Sequence, residues 1–335
     1  MSVANFTCLF GDKKVLLDLF SEIVYKAFFD SPPRKFSNNE FYLFELEYIN
    51  AGSLSEPNPV ISGLFVRNTD LKRSHILRET KLIEDLDKIE SATSARFVLI
   101  LSTHTLIYVT GTPNAPPIAM FRSTMQHHLN KAWSNYLKLE SKSIFKEINK
   151  SKKFGEKTRL RDILLNLIFE TPKPELEINP LPSQLSIEAF LEQFDSITSV
   201  EYKISDTNHT PDLTPLLSQL RAQKEATESQ KIIVIESKPK NISGVAHQLA
   251  DITADGNVEA KIIGKTATGG KVTGTNDKFN LSIPFDTVAS NTKVFIKAAI
   301  SKLHYLISSN QIVVHSAPTR IKGKLFAITP DKTLD

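Results

Sequence analysis

The sequence predicts an α+β chain of two domains, each a mostly antiparallel sheet with packed helices. Three observations predict it. Short segments alternate apolar and polar residues with turn residues between them, as antiparallel strands do. Longer segments repeat apolar residues at three and four positions, as amphipathic helices do. One proline cluster, Pro172, Pro174, Pro180 and Pro182, lies near the middle of the chain. That cluster sets the expected division into an N-terminal α/β domain at 1–170, a Pro-rich linker at 171–183 and a C-terminal α/β domain at 184–335.

The elements follow in order. Residues 3–10 read as a strand. A helix is expected at 13–29, where Val15, Leu16, Leu19, Ile23, Val24 and Ala27 keep helical spacing and Pro32-Pro33 follows. The aromatic, alternating segment 40–49 and the segment 59–67 read as strands. Residues 95–102 and 105–110 form a hairpin closed near His104. After the proline-rich loop 112–117, Ser123 is placed to cap a long helix reaching Lys150, and Leu160 starts a short apolar one. Beyond the linker come a helix at 186–194, a strand at 200–205 and a helix at 213–226 with Pro215 in its first turn. The apolar run 231–236 reads as a strand central in its sheet. Strands at 258–265 and 278–285 flank a Gly/Thr-rich tip, and a helix at 292–307 precedes a strand-like tail.

Composition excludes several classes of protein. A chain of 335 residues is long enough for two cores. Its one cysteine, Cys8, rules out an intrachain disulfide and a thiolate zinc cluster, which fits a reducing cytosol. The opening residues lack the basic start of a secretory signal. The longest apolar runs, 97–101 and 232–235, fall far short of the roughly 20 residues that span a bilayer. The expectation is a soluble, cytoplasmic protein that does not insert into a membrane and needs a partner for any membrane role.

Charge carries the functional reading. Between 131 and 161 lie ten basic residues and three acidic ones, in a chain of net charge only +4. Lys138, Lys142, Lys146 and Lys150 follow at four-residue spacing, about 40° apart around a helix. Lys131, Lys152 and Lys153 extend the stripe. A rigid row of cations suits a phosphate backbone, and lysine, a flexible point charge, suits sequence-tolerant contact. The competing reading is a solvated helix face. A second basic group, Lys261, Lys265, Lys271 and Lys278, surrounds the Gly-rich tip, where a ribbon could straddle a backbone. Its plain alternative is an edge kept soluble by lysine. The primary expectation is therefore binding of nucleic acid, duplex DNA first, with no cofactor. An adaptor that binds an acidic protein is one alternative.

A magnesium-dependent nuclease is the other. Pro211-Asp212, followed by Glu236-Ser237-Lys238 at the end of a strand, resembles the PD…(D/E)xK pattern. Two carboxylates would hold the magnesium and the lysine would stabilise attack by water. The helix expected at 213–226 departs from that pattern, in which the two parts lie on adjacent strands. The histidines, His75, His104, His127, His128, His209, His247, His304 and His315, show no ligand spacing and read as structural or exposed. Trp133 and Phe145 could stack on bases, but packing of the helix onto its domain is the expected role, since the apolar spacing places Trp133 in the buried stripe. No phosphate-cradling loop, HExxH or GxSxG is present, so the chain leans away from an enzyme.

The order of these features carries a resemblance. ARFVLILSTHTLIYVTGTPNAPPIAMFRSTMQHHL forms a hairpin leading into a helix, and VEAKIIGKTATGGKVTGTNDKFNLSIPFD leads into a helix with KAAISKLHYL. This layout is similar to that of the RexA-like phage-exclusion and phage-defence proteins, over half of the chain and in pattern alone. The resemblance implies a cytoplasmic, DNA-binding, dimeric sensor of abortive infection that acts on a membrane-protein partner. It assigns no functional residue.

Overall fold

The computed structural model describes all residues except 12–13, 54, 73–74, 79–80, 85–87, 113, 151–157, 209, 286–290, 316–318 and 335, and only the backbone of the other residues of 70–90 and of 319–320. It is an α+β fold built on two antiparallel sheets. The first is made of β1 (Ser2–Phe10), β2 (Lys14–Val15), β3 (Arg34–Phe36), β4 (Asn39–Asn50), β5 (Pro59–Lys72), β8 (Lys88–Ile100), β9 (Thr105–Thr110) and β10 (Glu175–Pro180). Their order is β10-β1-β9-β8-β5-β4-β3, with β2 also on β1. A two-stranded ladder, β6 (His75–Arg78) with β7 (Lys81–Glu84), lies between β5 and β8 in the chain.

Both faces of this sheet are covered, which explains its continuous apolar runs. Side chains alternate across a strand. Ala4, Phe6, Cys8, Ile61, Phe65, Phe97, Leu99, Leu106 and Tyr108 therefore share one core with the helical turns at 16–29, which end in α1 (Tyr25–Phe29), and with α2 (Ile118–Ile148). Val3, Val60, Val98, Ile100, Ile107 and Val109 share the opposite core with α7 (Thr292–Ser308).

The second sheet, ordered β12-β11-β13-β14, contains β11 (Ser196–Ile204), β12 (Ile232–Ser237), β13 (Val258–Lys265) and β14 (Lys271–Thr275). Its core also draws on α4 (Gln184–Leu191), α5 (Pro215–Ala226) and α6 (Ile242–Thr253). The N-cap hydroxyl of Thr214 accepts from Leu217 N–H and Pro215 occupies the first turn of α5.

Several expectations are corrected. The segment 171–183 is no free linker: β10 pairs with β1 from Ala4↔Pro180 to Leu9↔Glu175. Pro180 is tolerated because β10 is an edge strand, where a missing donor breaks no ladder, and Pro172, Pro174 and Pro182 lie outside the strand. Residues 184–335 do not fold around one core either. The second core spans Ile187 to Phe279, whereas α7 and α8 (Thr319–Ile328) return to the first sheet. The expected tail strand is thus α8 over much of its length. The helix expected at 13–29 starts later, as a 3-10 turn at Leu16–Leu19 and a π turn at Phe20–Val24 before α1. α2 begins before Ser123, after Pro117, and the Ser123 hydroxyl instead accepts from Arg34 Nη1 at 2.9 Å. β13 pairs with β14 at 271–275, not with 278–285. β12 is an edge strand, not a central one, and Ile233 and Ile235 on it are exposed.

Candidate nucleic-acid interface

α2 has two halves with different jobs. Phe121, Met125, Leu129 and Ala132 bury against the first sheet. Beyond them, Leu137 packs with Ile163 and Leu167 of α3 (Leu160–Glu170), joined by Trp133, Tyr136, Ile144 and Phe145. The second half of α2 and α3 therefore form a two-helix arm. Trp133 Nε1 donates to Thr171 O at 2.9 Å, and Phe145 packs in the arm's own core, so neither ring is set out as a platform for bases.

Lys131, Lys138, Lys142, Lys146 and Lys150 are all exposed. At about 100° per residue, Lys131, Lys138, Lys142 and Lys146 fall within about 80° of one another, opposite Leu137 and Ile144. Glu140 and Glu147 lie toward another side of the helix. Among the described residues, none of these lysines forms an ion pair. Lys152 and Lys153 lie outside the described residues.

The second basic group is divided by the structure. Lys261 on β13 is 3.4 Å from Glu201 and is partly neutralised. Lys265 and Lys271 stand directly opposite each other across β13 and β14, a like-charge pairing that costs stability without an anion nearby. Lys238 and Lys240 join Lys265 around a cleft of about 420 Å³, with Asp195, Ser196 and Thr198. Lys278 is exposed outside the ladder. Lys265 lies seven positions after Val258, which places it and Lys271 about 23 Å along β13 from its start. The arm and the far end of the small sheet are thus two basic patches on separate scaffolds.

The nuclease constellation does not assemble. Asp212 Oδ1 accepts from Arg221 Nε at 2.5 Å with both side chains nearly buried, and Arg221 Nη2 reaches Asn257 O at 3.4 Å. Glu236 accepts from Gln248 Nε2 of α6, and it pairs with Val200, whereas Val258 pairs with Ile204. Four residues of β11 thus separate the two carboxylates' neighbourhoods, about 13 Å. Lys238 lies past the end of β12 in the left-handed region, φ +50°, so it does not share a strand face with Glu236. Among the described residues no three His, Cys, Asp or Glu side chains gather as metal ligands.

A polar junction leaves little trace in the sequence. Asp255, almost fully buried, lies 3.0 Å from His315 Nε2 and accepts from Asn257 Nδ2 at 2.7 Å. Asn5 Nδ2 donates to Asn257 Oδ1 at 2.7 Å, and Asn179 Nδ2 donates to Gly256 O at 3.0 Å. These bonds tie β1 and β10 to the loop before β13. The cavity beside them, lined also by Thr103, Thr105 and Thr210, measures about 20 Å³, room for one water and not for a substrate. The one local signal is the turn Asp255-Gly256-Asn257. Gly256 has φ +70°, and a Cβ there would come within 2.9 Å of Asn179 O.

The remaining histidines are scattered, in line with their spacing. His128 is buried and burial, then His127, Arg34 and Lys131, pushes its imidazole down to about 4. His104 is buried in the β8–β9 turn at φ +53°, where its carbonyl accepts from Phe6 N–H at 2.7 Å. His247 lies 3.3 Å from Gln184 Nε2, and exposed His304 lines an open surface cleft with Lys297 and Ser301. The His75 side chain and His209 lie outside the described residues.

Among the described residues no helix is long and apolar enough to cross a membrane. Compared with protein-family models, curated proteins and solved structures, the chain matches none of them.

Proposed function

We propose that this protein binds nucleic acid, duplex DNA in the first place, without reading its sequence. The observation that supports the reading is the outer face of α2. Lys131, Lys138, Lys142 and Lys146 form an exposed row with no carboxylate partner among the described residues, on a rigid helix braced from behind by α3. Cations about 6 Å apart along the helix for each four-residue step match a phosphate backbone and offer little for base edges. The Lys238, Lys240, Lys265 and Lys271 patch supplies a second contact for a long duplex.

Binding should be strongly salt-dependent. Six phosphate contacts give a slope of log K on log salt of about −5. Replacing Lys138, Lys142, Lys146 and Lys150 by glutamine lowers the slope by about 3.6, near 0.9 per contact, with the circular-dichroism spectrum unchanged. An unchanged slope in a folded variant would remove the arm from the interface. No gel shift at about 50 mM salt would favour the adaptor alternative, in which the same row meets an acidic protein. The cytoplasmic phage-exclusion setting implied by the resemblance, with a membrane-protein partner, belongs to this proposal. Phage plating on cells expressing the wild-type or the glutamine variant tests it.

A further inference from the structure

β12 ends the second sheet, and among the described residues no strand pairs with its outer edge. The direction of its backbone groups follows from one bond. Lys238 N–H donates to Thr198 O at 2.9 Å, which makes Ser199↔Ser237 a non-hydrogen-bonded pair. By alternation Ile232, Val234 and Glu236 turn their N–H and C=O groups to β11, and Ile233, Ile235 and Ser237 turn theirs outward. The side chains of Ile233 and Ile235 are 51% and 60% exposed on the face away from α6. Edge strands are normally blunted by charge, proline or a bulge within the strand. Here Lys231 precedes the strand and Lys238-Pro239 follows it, and Ile232–Ile235 has no such protection.

We infer that this edge pairs with the β12 edge of a second copy of the chain, antiparallel and two-fold about Val234. That register sets Ile233 opposite Ile235 of the other copy, twice, and Lys231 opposite Ser237, twice. Ile232 meets Glu236, and no like charges face each other. Only residues with outward backbone groups fall in the hydrogen-bonded pairs, so the two edges satisfy each other. Moving the axis to Ile235 sets Ile233 opposite Ser237 and Lys231 opposite Pro239, which separates the isoleucine pairs and removes a donor. The four isoleucines then form one apolar strip. On the same face the lysines beside the isoleucines are paired, Lys203 with Glu177 and Glu259 and Lys261 with Glu201, and the pair of Lys265 and Lys271 lies farther along, at the end of β13. The product is a continuous eight-stranded sheet carrying one basic arm per copy.

The inference stands apart from the DNA reading and is tested separately. In sedimentation equilibrium of the full chain at micromolar concentrations, the wild type is a dimer. Ile235→Lys changes an exposed side chain, keeps the fold and weakens the dimer by about ten-fold or more. At the two-fold axis Val234 meets Val234 as a non-hydrogen-bonded pair, with Cα atoms about 4.5 Å apart, inside disulfide range. The only native cysteine, Cys8, is buried. Mild oxidation therefore converts Val234→Cys to a covalent dimer, while Ile232→Cys stays uncrosslinked. A monomeric wild type overturns the inference. So does a dimer that survives Ile235→Lys, or one that crosslinks at 232 rather than 234. DNA affinity measured on monomeric Ile235→Lys with a short duplex keeps a failure of the dimer distinct from a failure of the arm.

Discussion

At the residue scale, two buried titratable groups give direct tests of the core. His128 is buried on α2, with its imidazole pushed down to about 4 by burial. The unfolded chain, with an ordinary histidine near about 6.5, takes up the proton first as pH falls. Stability is therefore level above about 6.5, declines below it, and has lost this contribution fully by about 4, at a cost of about 3 kcal/mol. Urea unfolding across that range should show the decline in the wild type and a smaller one in His128→Gln. Cys8 is the second group. Burial pushes its thiol up to about 12, so the native protein should not react with a thiol reagent at neutral pH, and the urea-unfolded protein should react with one equivalent. Cys8 is legible in the sequence as a small core residue because strand alternation places it with Phe6 and Phe10. Asp255 and His315 are not legible as partners, because 60 positions separate them and no local pattern links them.

At the element scale, glycine separates what is local from what is not. The tip between the strands expected at 258–265 and 278–285 is rich in glycine and threonine, and by composition all of it reads as turn. The structure confines the turn to about five residues, keeps Gly264 inside β13 as expected and puts Gly274 inside β14. There a Cβ at Gly264 would lie 2.3 Å from Ser196 O and 2.5 Å from Phe194 Cδ1, and one at Gly274 would lie 2.2 Å from Phe190 Cζ, so Gly274 is where α4 lies close on the sheet and Gly264 is where the segment after α4 does. Gly274→Ala should lower stability by about 1–3 kcal/mol through overpacking. Gly323→Ala, in α8 with open space around its Cβ, should raise it by about 0.5–1 kcal/mol through helix propensity. Chemical unfolding midpoints with unchanged slopes would read out both signs. β12 shows the same limit. Its apolar run predicts a central strand, yet an edge strand has the same composition when a face or an edge is left open.

At the scale of the whole molecule, the two halves of the sequence are interleaved. β10, expected as linker, completes the first sheet, and α7 and α8 close both of its faces from the far end of the chain. A chain truncated after residue 183 would lose the Phe295, Ile296, Ala299, Leu303 and Leu306 cover of the second face. It should be insoluble or bind a hydrophobic dye strongly, where a self-contained N-terminal domain would be soluble and bind little. By itself the sequence determined the α+β class, the strands of the first sheet near 3–10, 40–49, 59–67, 95–102 and 105–110, the long helix and the basic row along it, because periodicity and charge spacing are local properties of a chain. Only the tertiary structure decided that the row stands on a two-helix arm and forms no ion pair among the described residues, that Asp212 is held by Arg221, and that β12 lies at an edge. Those facts depend on which distant segments meet, and burial energy summed over the whole fold selects those meetings without leaving a local mark.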